Sequence, residues 1–178
     1  MRSLFIFLVS FSLLSAGSWQ NIQSQIETQT LLSAQSESLE RTVLEFNIDG
    51  FHLIPIDKLN GEMYMARLSD GASLLELGAP DMHKYARSIV IPDDKQMGIK
   101  VLSSEFVDYE NILIAPSKGN LSRNIDPSKV DFEFGSVYQK DDFFPGDLIN
   151  LESPYILRDV RGHSVVFFPF QYNPVQKV

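Results

Sequence analysis

The stretch "VLEFNIDGFHLIPIDKLNGEMYMARLSDG", residues 43–71, sets short apolar runs between three pairs of turn residues. In Asp49-Gly50, Asn60-Gly61 and Asp70-Gly71 the first residue tolerates the left-handed backbone region and the second enters it without a Cβ clash. That is the composition of a tight β-turn. The runs between them are the length of strands rather than of globular helices. A hairpin is therefore expected at Asp49-Gly50, and "EMYMARL" is expected as a further strand after Asn60-Gly61. Outward from this stretch the pattern continues. "YARSIVI" ends in β-branched residues, and Pro92-Asp93-Asp94 supplies a turn. "MGIKVLSSEFVDYENILIA" reads as two strands around a bend, followed by "FEFGSVY", "LINLESPYILRDV" and "HSVVFFPF". Short strands with turn pairs between them define an all-β domain, a β-sandwich or jelly-roll-like fold. At the end, Tyr172-Asn173-Pro174 reads as a turn and "VQKV" as the opening of a return strand, whose sheet edge stays unpaired.

The chain of 178 residues is long enough for one domain with a sizeable core, and 44% hydrophobic residues with 13 Phe supply it. Lys and Arg number 15 against 23 Asp and Glu, a net charge of -8. Such a balance argues against nucleic acid and anionic membranes as partners. "MR", the apolar run "LFIFLVSFSLL" and the small residues "SAGS" form a signal peptide, residues 1–17, with cleavage expected after Gly17 or Ser18. Export follows. Residues 18–40, rich in Gln, Ser, Glu and Thr with a weak helical spacing of Ile22, Ile26 and Leu31, read as a poorly ordered leader or marginal helix. The domain proper is then 41–178.

The chain has no Cys, which excludes a thiol nucleophile and thiolate metal sites within it. His52, His83 and His163 form no metal-binding pair, and His163 reads as a surface histidine at a strand edge. Asp93-Asp94 and Asp141-Asp142 lack the alternating spacing of a calcium loop and read as turn residues. No GxSxG elbow or phosphate-binding glycine loop is present. No metal or cofactor is expected, and by itself the chain is not an enzyme. Arg158, Asp159 and Arg161 crowd between apolar runs, where they are expected to form ion pairs at a sheet rim or to dock a second domain. The loop "IAPSKGNLSRNIDPSKV", residues 114–130, carries Lys118, Arg123 and Lys129 against Asp126. From composition alone it is a solvated loop.

Residues 101–177 nevertheless carry, in order, "LSS", "IAPSKG" with "SR", "FFPG", "PYILRDVRG" and "QYNPVQK". This run resembles the N-terminal propeptide of gingipain-type cysteine peptidases; "LGAPDMHKYARSI" matches less well, and upstream only the layout of strands agrees. The resemblance implies a Bacteroidota-type protein exported through the periplasm to the outer-membrane surface or beyond. It implies a zymogen propeptide that helps a cognate cysteine peptidase domain to fold and blocks its active site. The peptidase, with its Cys-His pair, would lie downstream of a segment truncated before the family's next strand. In such propeptides a basic loop residue occupies the specificity pocket. Carried over by motif, that residue is Arg123, with Lys118 the runner-up. Pro116 and Pro127 would stiffen the loop, and Gly119 would permit its turn. Arg158, Asp159 and Arg161 become candidates for docking to the peptidase. The rival reading is a secreted β-sandwich that binds glycans or another protein, with Tyr138, Phe143, Phe144 and Tyr172 as a stacking platform. A third is a split gene without activity.

Overall fold

The computed structural model describes residues 17–38, 40–56 and 63–178. The signal peptide, apart from Gly17, and the Asn60-Gly61 pair lie outside them. Among the described residues the strands are β1 (Ser18–Asn21), β2 (Leu31–Ser38), β3 (Arg41–Asn47), β4 (Gly50–Ile56), β5 (Met63–Arg67), β6 (Ala72–Ser73), β7 (His83–Val90), β8 (Ile149–Leu151), β9 (Tyr155–Leu157) and β10 (Val160–Phe167). They form a three-stranded sheet in the order β1-β4-β5, a five-stranded sheet in the order β6-β7-β10-β8 with β9 also on β10, and a β2-β3 ribbon. Every pairing between these strands is antiparallel. The domain is all-β.

β10 organises the larger sheet. β7 runs along it from Gly162↔Val90 to Phe167↔Tyr85. On its other edge β9 pairs with its first residues and β8 with its last. A strand with neighbours on both edges must be apolar where both faces are covered, and "SVVFF" supplies this: Val165, Val166 and Phe167 are all buried. Val165 and Phe167 join Tyr85 from the same sheet, Phe51, Leu53 and Ala66 from the smaller sheet, and Met82, Ile114 and Tyr172 from connections in one core. Phe46 of the ribbon stacks on Phe167, with ring centroids 4.6 Å apart and planes 9° from parallel.

Several expectations change. The segment 18–40 is no loose leader: β1 pairs with β4 and β2 with β3 over most of its length. Its polar residues hid this because both strands are partly exposed, and from this segment only Ile22 and Leu32 pack against the core. Asp49-Gly50 makes no β3–β4 hairpin. The Asp49 carbonyl instead accepts from the amides of Ile22, Gln23 and Ser24, which turns the chain as a corner between two different sheets. "MGIKVLSSEFVDYENILIA" forms no named strand. Its end lies beside β5 through the isolated parallel bridge Tyr64↔Ile114, and Tyr109 anchors it by packing on Phe51 and donating to the Asn21 carbonyl. "VQKV" is a turn, not a return strand. Asn173 Oδ1 accepts from Val175 and Gln176 amides, and its own amide donates to the Val178 carbonyl. His163 is buried, at 6% exposure, because β10 is interior; one ring nitrogen is within 2.8 Å of the Glu152 carbonyl and donates to it. Asp93 and Asp94 do sit in a turn.

Phe167→Ala should leave a cavity between the Phe46 and Tyr85 rings and destabilise the domain by about 3–5 kcal/mol. Phe143→Ala, at a ring 45% exposed, should cost far less. Urea midpoints of the two variants test this directly.

Candidate functional site

The basic loop rises from a base made by backbone. The Ser117 amide donates to the Ala79 carbonyl at 2.7 Å, and the Gly78 amide donates to the Ser117 carbonyl at 2.9 Å. On the far side the Gly135 amide donates to the Gly78 carbonyl at 2.8 Å. Both ends of the loop are thus held by one dipeptide, Gly78-Ala79. The approach needs two glycines: a Cβ on Gly78 would meet the Gly135 nitrogen at 3.0 Å, and one on Gly135 would meet the Gly78 carbonyl oxygen at 2.9 Å. Gly78 also has φ +75, a region other residues enter at a cost. This explains why "FEFGSVY" is not the expected strand. The chain touches its neighbour at Gly135 and then turns into the 3-10 helix Ser136–Gln139. A glycine inside a strand-like pattern was the available signal for that close approach.

Beneath the base the packing is tight. Pro116 is fully buried and bridges to Pro80, and the Asp81 amide donates to the Ala115 carbonyl at 2.8 Å. Arg67 fixes this segment from β5. Its guanidinium pairs with the Asp81 carboxylate at 2.8 Å and donates to the Asp81 carbonyl at 2.9 Å, with both side chains 15% exposed. A pair this well covered destabilises strongly when one member is removed. Two tyrosine hydroxyls hold the incoming segment: Tyr138 donates to the Ile114 carbonyl at 2.7 Å and Tyr172 to the Ile112 carbonyl at 3.0 Å. Burial pushes both phenols up. Tyr138 and Tyr172, with Phe144, are therefore packed against the core rather than open as a platform, and Phe143 alone of the four expected aromatics is exposed.

Above the base the loop is short-range structure. Gly119 has φ +72, as its role in the turn requires. The Ile125 amide donates to the Ser122 carbonyl at 2.9 Å, which closes a β-turn with Arg123 and Asn124 at its centre. Asp126 then caps the 3-10 helix Pro127–Lys129 by accepting from the Ser128 amide, with Pro127 at the first helical position. Arg123 is exposed at the turn, and among the described residues nothing binds its guanidinium. Lys118 differs: its ammonium donates to the Pro127 carbonyl at 2.7 Å and lies 4.2 Å from the centre of the Phe132 ring. The fold gives these two cations different surroundings.

Arg158, Asp159 and Arg161 lie elsewhere. Arg158 and Asp159 are the two residues of the β9–β10 reversal, Arg158 at φ +59. Arg161 donates to the carbonyls of Asp93 and Lys95, each at 2.8 Å, and so fixes the turn after β7. No ion pair joins the three among the described residues; carbonyls, not carboxylates, take the Arg161 charge. Exposed Val90, Ile156 and Leu157 flank this reversal. Asp141, expected only as a turn residue, accepts from the side-chain amides of Asn173 and Gln176, which hold its carboxyl below the usual range.

An all-β domain with an exposed loop, both of whose ends are tied to the core, is the architecture in hand. The family model described as Propeptide_C25 matches residues 21–178, and the chain belongs to that family. It is 39% identical over 147 residues to gingipain R1 of Porphyromonas gingivalis, covering 83% of this chain and 15% of that protein. To gingipain R2 of the same species it is 37% identical over 147 residues, covering 83% of this chain and 20% of that protein. The chain thus spans a fifth or less of these relatives. A solved complex of the Porphyromonas gingivalis RgpB pro- and mature domains superposes with a TM-score of 0.77 at 34% identity, covering 82% of this chain and 75% of that one. A structure solved to explain the zymogenic latency of gingipain K from the same organism shares the fold, with a TM-score of 0.75 at 18% identity and 91% coverage of each chain. The chain is a gingipain-type propeptide. The family match begins inside the segment first read as leader, in keeping with the strands found there.

His83 opens β7 just beyond the loop base. Burial, helped by the Arg67 charge, pushes its imidazole down to about 4 from 6.5, against the opposing Leu68 carbonyl and Asp81. The neutral ring is the folded form, so its stabilisation is complete above about pH 6.5 and is lost as pH falls toward about 4. His83→Gln should therefore lose less stability than the wild type between pH 7 and pH 4.5. Urea titrations at the two pH values read the difference; equal losses would remove His83 from the account.

Proposed function

We propose that this chain silences a secreted gingipain-type cysteine peptidase by placing Arg123 in its specificity pocket as a substrate mimic. The carrying observation is the unengaged Arg123 guanidinium at the centre of a β-turn, on a loop whose two ends share the Gly78-Ala79 clamp. Arginine suits the role because its planar fork pairs bidentately with a pocket carboxylate. A loop already ordered before docking loses less entropy when it binds. Pro116 and Pro127 contribute by fixing the incoming segment and the start of the 3-10 turn. The same domain, folding ahead of the peptidase, would template its folding. The peptidase itself would supply the Cys-His chemistry, and the precursor would be exported by its signal peptide. Arg158 and Asp159 are the proposed second contact with the peptidase, beside the apolar Ile156 and Leu157.

Arg123→Ala should weaken inhibition of the cognate peptidase by roughly 30- to several-thousand-fold, the range of about 2–5 kcal/mol seen when one member of a buried charged pair is truncated. Equal inhibition constants for variant and wild type would refute the loop assignment. The bond after Arg123 should also be an early processing site, which fragment mapping after limited activation would detect.

A further inference from the structure

Resting on that reading of Arg123, we propose that Lys118 is a positioning residue that holds the Arg123 turn ready for the pocket, and is not itself a pocket ligand. Its ammonium reaches across the loop from the rising side to the descending side. There it donates to the Pro127 carbonyl at 2.7 Å and covers the Phe132 ring at 4.2 Å. The loop is therefore closed twice: at its base by Gly78, and higher up by this side-chain strut. The strut encloses residues 119–126, with Arg123 near their middle. Without it the whole span between Ser117 and Gly135 would hinge on the base alone. Shortening the free part lowers the conformational entropy that docking removes. The carbonyl and the ring face both favour a cation, so the charge and not the aliphatic stem is what matters. To enter a pocket Lys118 would have to leave both partners, whereas Arg123 leaves none.

The distinction can be read by a double-mutant cycle with the processed peptidase and the purified propeptide. Lys118→Met should raise the inhibition constant roughly three- to tenfold, Phe132→Leu should raise it less, and Lys118→Arg should recover most of the loss. In an Arg123→Ala background, Lys118→Met should add little, because Lys118 acts through Arg123. In the isolated propeptide, Lys118→Met should speed trypsin cleavage after Arg123 several-fold, with the thermal midpoint of the domain unchanged. If Arg123→Ala weakens inhibition and Lys118→Met does not, the strut is wrong while the docking assignment survives. If the two losses are independent and multiply, Lys118 touches the peptidase itself, and the proposal is overturned. An Arg123→Ala variant as potent as wild type would remove the docking assignment, and the strut's purpose with it. Should Lys118→Met fold poorly, Phe132→Leu carries the same comparison.

Discussion

Gly78 and Gly135 approach so closely that neither can carry a side chain, and the loop depends on that approach. Through it one peptide unit receives the descending side of the loop, while the neighbouring amide and carbonyl receive the ascending side. Backbone hydrogen bonds are short and directional, so they locate the loop ends more closely than side-chain contacts could. The clamp works because the segment behind it does not yield. Pro80 and Pro116 are fully buried, and Arg67 ties Asp81 to β5. A loop on a rigid scaffold can be exposed and still be ordered.

The rest of the domain serves the same end. β10, paired on both edges, gives the larger sheet its interior, and the connection from Phe167 to Tyr172 returns a hydroxyl to the segment entering the loop. Tyr138 does the same from the far side of the loop. The loop is therefore coupled to the core at both its approach and its exit. Arg161 plays a comparable part at the other end of β7, where it gathers carbonyls of the turn after that strand.

Where residue-level reading succeeded, local chemistry sufficed. The runs "FHLIPI", "EMYMARL", "YARSIVI" and "HSVVFFPF" fall on β4, β5, β7 and β10, because short apolar runs bounded by turn residues have few other ways to be buried. Gly119 has the positive φ its turn needs. Reading failed where the partner was remote in sequence. The strands at 18–21 and 31–38 are polar and take their order from β4 and β3. Asp49-Gly50 looked like a hairpin because the amides that capture Asp49 lie more than twenty residues earlier. His163 looked exposed because nothing local says that a strand has neighbours on both edges. "FEFGSVY" alternates like a strand, yet what it meets is a single glycine.

The sequence by itself determined that the chain is acidic, cysteine-free and rich in strands, and its ordered motifs placed it among gingipain-type propeptides. Composition, period and turn chemistry are local properties, and they survive being read one residue at a time. Only the tertiary structure gave Lys118 and Arg123 different surroundings. Lys118 and Arg123 are equivalent as charges on a polar segment. They differ because folding brings the Pro127 carbonyl and the Phe132 ring to one of them and leaves the other facing outward.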